Sequence, residues 1–160
     1  MTDAATSAAA GIGAPITKTE AGQIVALARV RAGRTWEELA EAIGRPPVWT
    51  VAALLGQHPM PAAEAATIGD LLDLPPEVTE ALQLQPYRAD TAAAAADPTI
   101  YRFHEALAVY GPAIKELIHE QFGDGIMSAI NFRVSVERRP DPAGDRVVVT
   151  FDGKFLDYHW

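Results

Sequence analysis

The N-terminal half of the chain carries apolar residues at the spacing of amphipathic helices, with glycines at the predicted ends. A first segment begins at Thr19-Glu20, has its apolar residues three and four positions apart, and closes at Gly33. Thr35 stands three residues before Glu38. That is the spacing of a capping box, in which the hydroxyl and the carboxylate each bind the other residue's free amide. A second helix is therefore predicted to begin there and to end at Gly44.

Three more helices are predicted before the middle of the chain. Pro46-Pro47 starts the first, because a missing amide costs nothing in the opening turn, and it ends at Gly56. The other two are short, over residues 62–72 and 76–84. Helix, glycine turn and helix is the helix-turn-helix pattern, which is either a DNA reader or a compact packing unit. Residues 47–55 contain no charge that could contact bases or phosphates, so the packing unit is favoured.

The C-terminal half begins with a long helix. Asp97-Pro98 is a strong helix start, with Asp as the cap and Pro in the first turn. Gly111-Pro112 is expected to kink or split this helix, because proline has no amide hydrogen and its ring clashes with the preceding turn. The helix carries an apolar stripe suited to packing against another helix, formed by Ile100, Phe103, Leu107, Tyr110, Ile114 and Leu117.

Two strands are predicted after this helix. Apolar and polar residues alternate over 132–137, and 147–151 form a second apolar run, with a loop at 141–145 between them. Gly123-Asp124-Gly125 and Asp152-Gly153 are typical of turns. A single hairpin is marginal in water, so these strands are expected to pair with a second subunit. The pattern as a whole predicts an α+β protein.

Composition divides the chain into four segments. Residues 1–15 are rich in Ala and Thr, lack the features of a signal peptide, and are predicted to be a disordered lead-in to a cytoplasmic protein. Residues 16–86 form the helical N-terminal domain, 87–96 a linker, and 97–160 the C-terminal catalytic and dimerisation domain. No apolar run reaches the roughly 18 residues that a membrane span needs.

The composition also excludes or disfavours several kinds of functional site. The chain has no cysteine, which excludes disulfides, thiolate metal sites and cysteine nucleophiles. Its four histidines are scattered, so a metal centre is not expected. The net charge of −8 disfavours binding to nucleic acid, and an anionic substrate would need a local positive group.

Arg102 and Glu105 are the first candidate site residues. They are spaced i,i+3 on the long helix, so their side chains are neighbours. Glu105 is the only charged residue between Phe103 and Ile114, and a helix this apolar is normally buried. Two interpretations stay open. The pair is either a structural ion pair in an interface, slightly favoured by periodicity alone, or an arginine oriented to bind a small anion.

Ser128 is the second candidate. It lies just past the glycine turn, between Met127 and Ala129. A hydroxyl there either bonds to nearby backbone, which is the commoner case, or points into a pocket. No Gly-x-Ser-x-Gly elbow and no evident His–Asp partner accompany it, so a serine hydrolase is disfavoured.

Two stretches of the C-terminal half resemble the cyanase family. Residues 97–105 resemble the segment around the catalytic arginine and glutamate of that family, and 119–132 resemble the segment that carries its catalytic serine. The resemblance continues weakly through 52–57 and covers about 16–158. It implies an N-terminal helical bundle resembling a repressor-type helix-turn-helix domain, and a C-terminal helix plus β-hairpin dimerisation domain.

The resemblance also implies a reaction. Cyanases, or cyanate hydratases, decompose cyanate with bicarbonate to ammonia and carbon dioxide through a carbamate intermediate. The matching catalytic residues are Arg102, Glu105 and Ser128, of which Arg102 and Ser128 would bind substrate. No metal or organic cofactor is implied, since bicarbonate is a co-substrate. The expected assembly is a decamer of five dimers, with no nucleic-acid or membrane partner.

Two rival functions come from other classes. The helix-turn-helix pattern could serve a DNA-binding regulator, which predicts salt-sensitive binding to duplex DNA. Alternatively, the Arg102–Glu105 pair could be structural in an oligomerisation scaffold, which predicts no turnover of any substrate.

Overall fold

The computed structural model describes residues 15–86 and 96–159. Within those ranges, six helices precede one antiparallel hairpin, so the predicted α+β class is confirmed. The chain divides into two compact units, Met1–Pro86 and Tyr87–Trp160. The predicted lead-in and linker lie almost entirely outside the described residues. The elements are α1 Lys18–Arg31, α2 Trp36–Ile43, α3 Pro47–Leu54, α4 Ala62–Leu72, α5 Pro76–Gln83, α6 Pro98–Phe122, β1 Gly125–Arg139 and β2 Arg146–Asp157.

Capping boxes start the first two helices. The predicted box is present at α2, where the Thr35 amide donates to Glu38 Oε2 at 2.8 Å and the Glu38 amide donates to Thr35 Oγ1 at 3.1 Å. Helix α1 has a second box, formed by Thr17 and Glu20, and therefore starts before the predicted Thr19-Glu20. The hydrogen bond from the Thr17 amide lowers the pKa of the Glu20 carboxyl.

The N-terminal unit has a core to which all five of its helices contribute. Lys18 adds a polar link, because its Nζ donates to the carbonyl of Leu82 at 2.7 Å and so joins α1 to α5. Burial lowers the pKa of Lys18. Each fully buried aliphatic side chain stabilises the unit by about 1.5–3 kcal/mol relative to exposure. The largest such residues are Val25, Leu39, Leu54, Ile68, Val78 and Leu82.

The side chain of Arg45, in the turn between α2 and α3, contacts two other residues of the N-terminal unit. Its Nη2 and Nε both lie close to Glu64 Oε1, at 2.8 and 3.0 Å, and its guanidinium lies 4.6 Å from the centre of the Trp49 ring. Hydrogen bonding to Glu64 raises the pKa of Arg45. The arginine nearest to the uncharged α3 is thus engaged with α4.

Helix α6 runs unbroken for 25 residues through Pro112. Asp97 caps it as predicted, since Oδ1 accepts from the amides of Thr99 and Ile100 at 2.8 and 3.1 Å. The expectation of a split at Gly111-Pro112 is wrong. Proline deprives one carbonyl, that of Ala108, of its helical partner, and neighbouring residues continue the helix on both sides.

The hairpin is longer than its two predicted strands, and its register is interrupted. From Met127 to Phe132, β1 advances five positions while β2 advances two, from Phe155 to Gly153, so β1 carries three additional residues. This β-bulge contains Ser128. The predicted turn at Asp152-Gly153 is wrong, because both residues lie inside β2 and pair with β1.

The C-terminal unit leaves most of its apolar side chains uncovered. Helix α6 buries none of its residues, and in the hairpin only Gly125 and Ser128 are buried. The exposed apolar residues of α6 include Ile100, Tyr101, Phe103, Leu107, Val109, Tyr110, Ile114, Leu117 and Phe122. This unit therefore has no aliphatic core of its own within the described chain.

Candidate active site

Arg102 and Glu105 form an ion pair on the first half of α6. Arg102 Nη1 donates to Glu105 Oε2 at 2.6 Å, across one turn of the helix. The side chains are 73% and 51% exposed, so the expectation of a buried pair does not hold in the single chain. The physical reason is that the hairpin, which is the rest of the described C-terminal unit, does not cover this part of α6.

The pair leaves most of the guanidinium available. An arginine side chain has five N–H donors in a planar fork that fits carboxylate-like anions. Glu105 accepts from Nη1 and is the one acceptor that the described residues supply. Because Glu105 holds one edge of the fork, the other donors can bind an anion in a fixed orientation.

The Ser128 hydroxyl is buried and already accepts two hydrogen bonds. The side chain lies on β1 with only 6% of the residue exposed, and its Oγ accepts from the amides of Ile130 at 3.1 Å and Asn131 at 3.0 Å. The sequence left two alternatives for the Ser128 hydroxyl, a bond to nearby backbone or a position facing a pocket. The structure shows the bond to nearby backbone. A hydroxyl has two acceptor lone pairs and one donor proton. With both lone pairs engaged, Ser128 can only donate to a further ligand.

Gly153 on β2 lies directly against this serine. A Cβ added at position 153 would be 2.5 Å from the carbonyl oxygen of Ser128, and it would also meet the side chain of Met127. Gly153 was not among the predicted site residues, because the pair Asp152-Gly153 is typical of a turn. A glycine next to an apolar strand also indicates a bulge or a close backbone approach, and that signal could have found it.

Arg102 and Ser128 are not brought together within one chain. The Phe122 ring at the end of α6 lies 5.3 Å from the ring of Phe155, which pairs with Met127 beside Ser128. Ser128 is therefore close to the C-terminal end of α6. Arg102 lies twenty residues before Phe122, which is about 30 Å along a helix axis. The three candidates form two half-sites, the Arg102–Glu105 pair and Ser128.

Other features of the described residues lie apart from these half-sites. Residues 15–86 and 96–159 contain no group of three or more His, Asp or Glu side chains that could hold a metal ion. Their helices include none that is long and apolar enough to span a membrane. An open depression of about 450 Å³ on the N-terminal unit is lined by residues such as Arg34, Glu38 and Leu71, and by none of the three candidates.

Comparison with known proteins covers both units. Residues 18–86 match the family model for the N-terminal part of cyanate hydratase, and 92–160 match that for the cyanate lyase C-terminal domain. The cyanate hydratase of Mycolicibacterium vanbaalenii is 58% identical over 91% of this chain and 95% of its own length. That of Thiobacillus denitrificans is 49% identical over 89% of this chain and 98% of its own.

A solved structure agrees with the sequence comparisons. The crystal structure of cyanase from T. urticae superposes with a TM-score of 0.76 at 35% identity, covering 85% of this chain and 96% of that chain. The resemblance noted in the sequence is thereby confirmed, and the chain belongs to the cyanate hydratase family.

Proposed function

We propose that this protein is a cyanate hydratase, a lyase that decomposes cyanate in a bicarbonate-dependent reaction to ammonia and carbon dioxide. The observation that carries the proposal is the Arg102–Glu105 pair, an oriented cation next to an uncharged stretch of α6 at 106–114, in a chain of this family. Both substrates are small anions, and a planar guanidinium is the side chain best suited to bind them.

The first task of such a site is to overcome repulsion between the substrates. Two unit charges ~4 Å apart repel by about 4 kcal/mol at an effective dielectric of ~20. The chain has a net charge of −8, which adds to that cost. Arg102 would offset the repulsion by binding one or both anions, while Glu105 holds the guanidinium in place. We therefore assign Arg102 as the anion clamp and Glu105 as its orienting partner.

The chemistry that follows requires no covalent enzyme intermediate. A bicarbonate oxygen adds to the cyanate carbon, and the cyanate nitrogen takes up the bicarbonate proton and one proton from water. The mixed anhydride loses carbon dioxide and leaves carbamate, whose nitrogen takes up a further proton from water as the C–N bond breaks to give ammonia and another carbon dioxide. We propose that Ser128 donates a hydrogen bond to a substrate oxygen or nitrogen, because its lone pairs are already occupied. Preorganised donors of this kind stabilise charge as it develops.

We propose that the reaction uses no metal or organic cofactor. Activation of an anion by a clamp and a donor needs neither, and the described residues offer no cluster of metal ligands. Bicarbonate would be a co-substrate, consumed and released as carbon dioxide in each cycle. Metal-stripped protein is therefore expected to retain its activity.

We propose further that the complete site forms between copies of the chain. The separation of about 30 Å between Arg102 and the end of α6 supports this, since a small anion cannot contact both Arg102 and Ser128 of one chain. The uncovered apolar residues of α6 support an oligomer as well. A decamer of five dimers, implied by the family resemblance, is the proposed assembly.

Binding to nucleic acid is not part of the proposal. Helix α3 has no charged residue, and Arg45 is engaged with Glu64 and Trp49. A reader of DNA needs free basic or amide side chains on its recognition helix. A cytoplasmic location stays a prediction from the sequence.

The test is ammonia release from cyanate by metal-stripped protein, with and without added bicarbonate. We expect release only with bicarbonate, and a loss of kcat/KM of about 100- to 1,000-fold for Arg102→Ala, since that is the typical effect of removing one preorganised donor. Arg138→Ala is the matched control, because Arg138 is also an exposed arginine paired with a carboxylate, that of Asp145. Its turnover should stay within about twofold of the parent's, as for a surface substitution.

The outcomes separate the rival functions. Unchanged turnover in Arg102→Ala would remove Arg102 from the mechanism. An assembled protein that releases no ammonia with bicarbonate would favour the oligomerisation scaffold, and salt-sensitive retardation of duplex DNA would favour the regulator.

A further inference from the structure

The β-bulge that holds Ser128 depends on a residue far away in the sequence. Gly153 pairs with Phe132, at the point where regular register between β1 and β2 resumes. The space that a side chain at 153 would need is occupied by the Ser128 carbonyl oxygen, 2.5 Å from an ideal Cβ, and by the side chain of Met127. Met127 can move, but the carbonyl is backbone. Any residue larger than glycine must therefore shift the backbone of Ser128 or of β2, and either shift breaks the close contact between them.

We propose that Gly153 is a positioning residue for the Ser128 hydroxyl: its missing side chain lets β2 press against the bulge, which fixes the serine as a donor. The inference rests on the proposed function, because positioning matters only if Ser128 contacts substrate. Two amide bonds orient Oγ, and both come from the next residues of the same bulge, Ile130 and Asn131. Moving the Ser128 backbone would change both bonds at once and turn the free proton away from its target.

The first test is a double-mutant cycle on kcat/KM for bicarbonate-dependent ammonia release. Gly153→Ala should lower kcat/KM by about 100-fold in the parent, the cost of a displacement near 1 Å at a reacting group. In the Ser128→Ala background the same substitution should change kcat/KM by no more than about twofold, because the group it displaces is gone. A merely structural glycine would lower activity by the same factor in both backgrounds, and that result would overturn the proposal.

Gly125→Ala is the matched control. A Cβ at position 125 would also be crowded across the same hairpin, 2.5 Å from the Phe155 ring and against the Leu156 carbonyl, yet none of the three atoms nearest to it belongs to Ser128. Its effect on kcat/KM should be the same in the parent and in the Ser128→Ala background. Coupling of Gly125→Ala to Ser128 as strong as that of Gly153→Ala would count against a specific role for Gly153.

A second measurement needs no turnover and separates the two proposals. Amide hydrogen exchange of the full assembled protein, followed on peptides covering Ile130 and Asn131, reports the two bonds to Ser128 Oγ. We expect faster exchange there in Gly153→Ala and in Ser128→Ala, and parent-like exchange in Gly125→Ala. Faster exchange in Gly153→Ala, combined with a parent protein that does not turn over cyanate, would remove the proposed function and keep the positioning contact. Unchanged exchange in Gly153→Ala would remove the positioning contact alone.

Gly153→Ala could also prevent assembly. The variant that combines Met127→Ala with Gly153→Ala relieves the side-chain part of the clash and retains the part that displaces Ser128. It should assemble, and it should show the loss of activity and the faster exchange relative to Met127→Ala alone. Failure of both variants to assemble would assign Gly153 to hairpin folding and overturn the proposal.

Discussion

The two units of this chain meet the need for a core in different ways. Residues 15–86 bury at least one large aliphatic side chain from each of five short helices, and capping boxes define two of the helix starts. In the described part of the C-terminal unit, a 25-residue helix buries nothing and the hairpin buries only Gly125 and Ser128. The N-terminal unit buries a core of its own, whereas the described C-terminal unit leaves most of its apolar side chains exposed, and we propose that other copies of the chain cover them.

The candidate catalytic residues all lie in the second kind of unit. Arg102 and Glu105 are exposed in the single chain, although a clamp for two anions works best where water is excluded. Covering α6 with another copy would lower the local dielectric around Arg102 and bring a second half-site near it. In this protein, assembly and catalysis would therefore depend on the same apolar surface.

The largest expected effect comes from placing a charge on that surface. Leu107→Asp puts a carboxylate on α6 at a residue that is 53% exposed in the single chain. If another copy covers it, burying an unpaired charge costs about 3–5 kcal/mol, so the assembly should break into smaller species and lose activity. Light scattering coupled to size exclusion measures the mass, and ammonia release measures the activity.

Leu27→Asp is the matched control for that experiment. Leu27 lies on α1 of the N-terminal unit and is 51% exposed, nearly the same as Leu107. We expect the Leu27→Asp protein to keep the parent mass and activity. If both substitutions dissociate the assembly, the N-terminal unit also contributes to the interface. If neither does, the prediction that another copy covers α6 at Leu107 is wrong.

A core truncation in the N-terminal unit should have the next largest effect. Leu39 is fully buried, and Leu39→Ala should lower the free energy of unfolding of this unit by about 3–5 kcal/mol through lost burial and a cavity. Urea unfolding followed by tryptophan emission reports it, since Trp36 and Trp49 pack against this core. Leu84→Ala, at a largely exposed leucine, should cost less than about 0.5 kcal/mol.

The protein concentration sharpens the comparison further. The midpoint of the tryptophan transition should not depend on concentration, because the N-terminal core is intramolecular. The urea concentration at which the assembly dissociates should fall as the protein is diluted. A concentration-dependent tryptophan midpoint would show that the first unit also needs a partner.

Features that depend on neighbours in sequence were predictable. The capping box of Thr35 and Glu38, the start of α6 at Asp97-Pro98 and the bounds of α4 all follow from residues within one or two turns. The i,i+3 contact of Arg102 with Glu105 is local in the same sense. Helix signals of this kind act through hydrogen bonds and sterics over a few residues, so periodicity and caps are enough to find them.

Features that depend on distant residues were not predictable. The bulge around Ser128 is defined by its register against Gly153, twenty-five positions later, and nothing near Ser128 indicates it. The apolar stripe of α6 predicted burial, but it could not say whether the cover comes from the same chain. That is why the sequence favoured a buried Arg102 and the single chain has an exposed one.

The smallest expected effect concerns the cap of α1. Thr17→Ala removes the hydroxyl that binds the Glu20 amide and should lower the stability of the N-terminal unit by about 1 kcal/mol at pH 7.

The effect of this substitution should depend on pH. The folded pKa of Glu20 lies below its unfolded value of about 4.3, chiefly because its carboxylate accepts from the Thr17 amide. The stability that this carboxylate contributes is therefore fully present above the unfolded pKa and is lost as the pH falls through the folded pKa. Because the Thr17 hydroxyl also donates to Glu20 Oε2 at 2.8 Å, the difference between parent and Thr17→Ala should shrink when urea unfolding is repeated as the pH falls through the folded pKa of Glu20. Thr67→Ala is the control, since that hydroxyl bonds the Ala63 carbonyl within α4 and has no carboxylate partner, so its small effect should not vary with pH. A Thr17→Ala difference that stays constant from pH 7 into acid would mean that the Thr17 hydroxyl is not coupled to the Glu20 carboxylate.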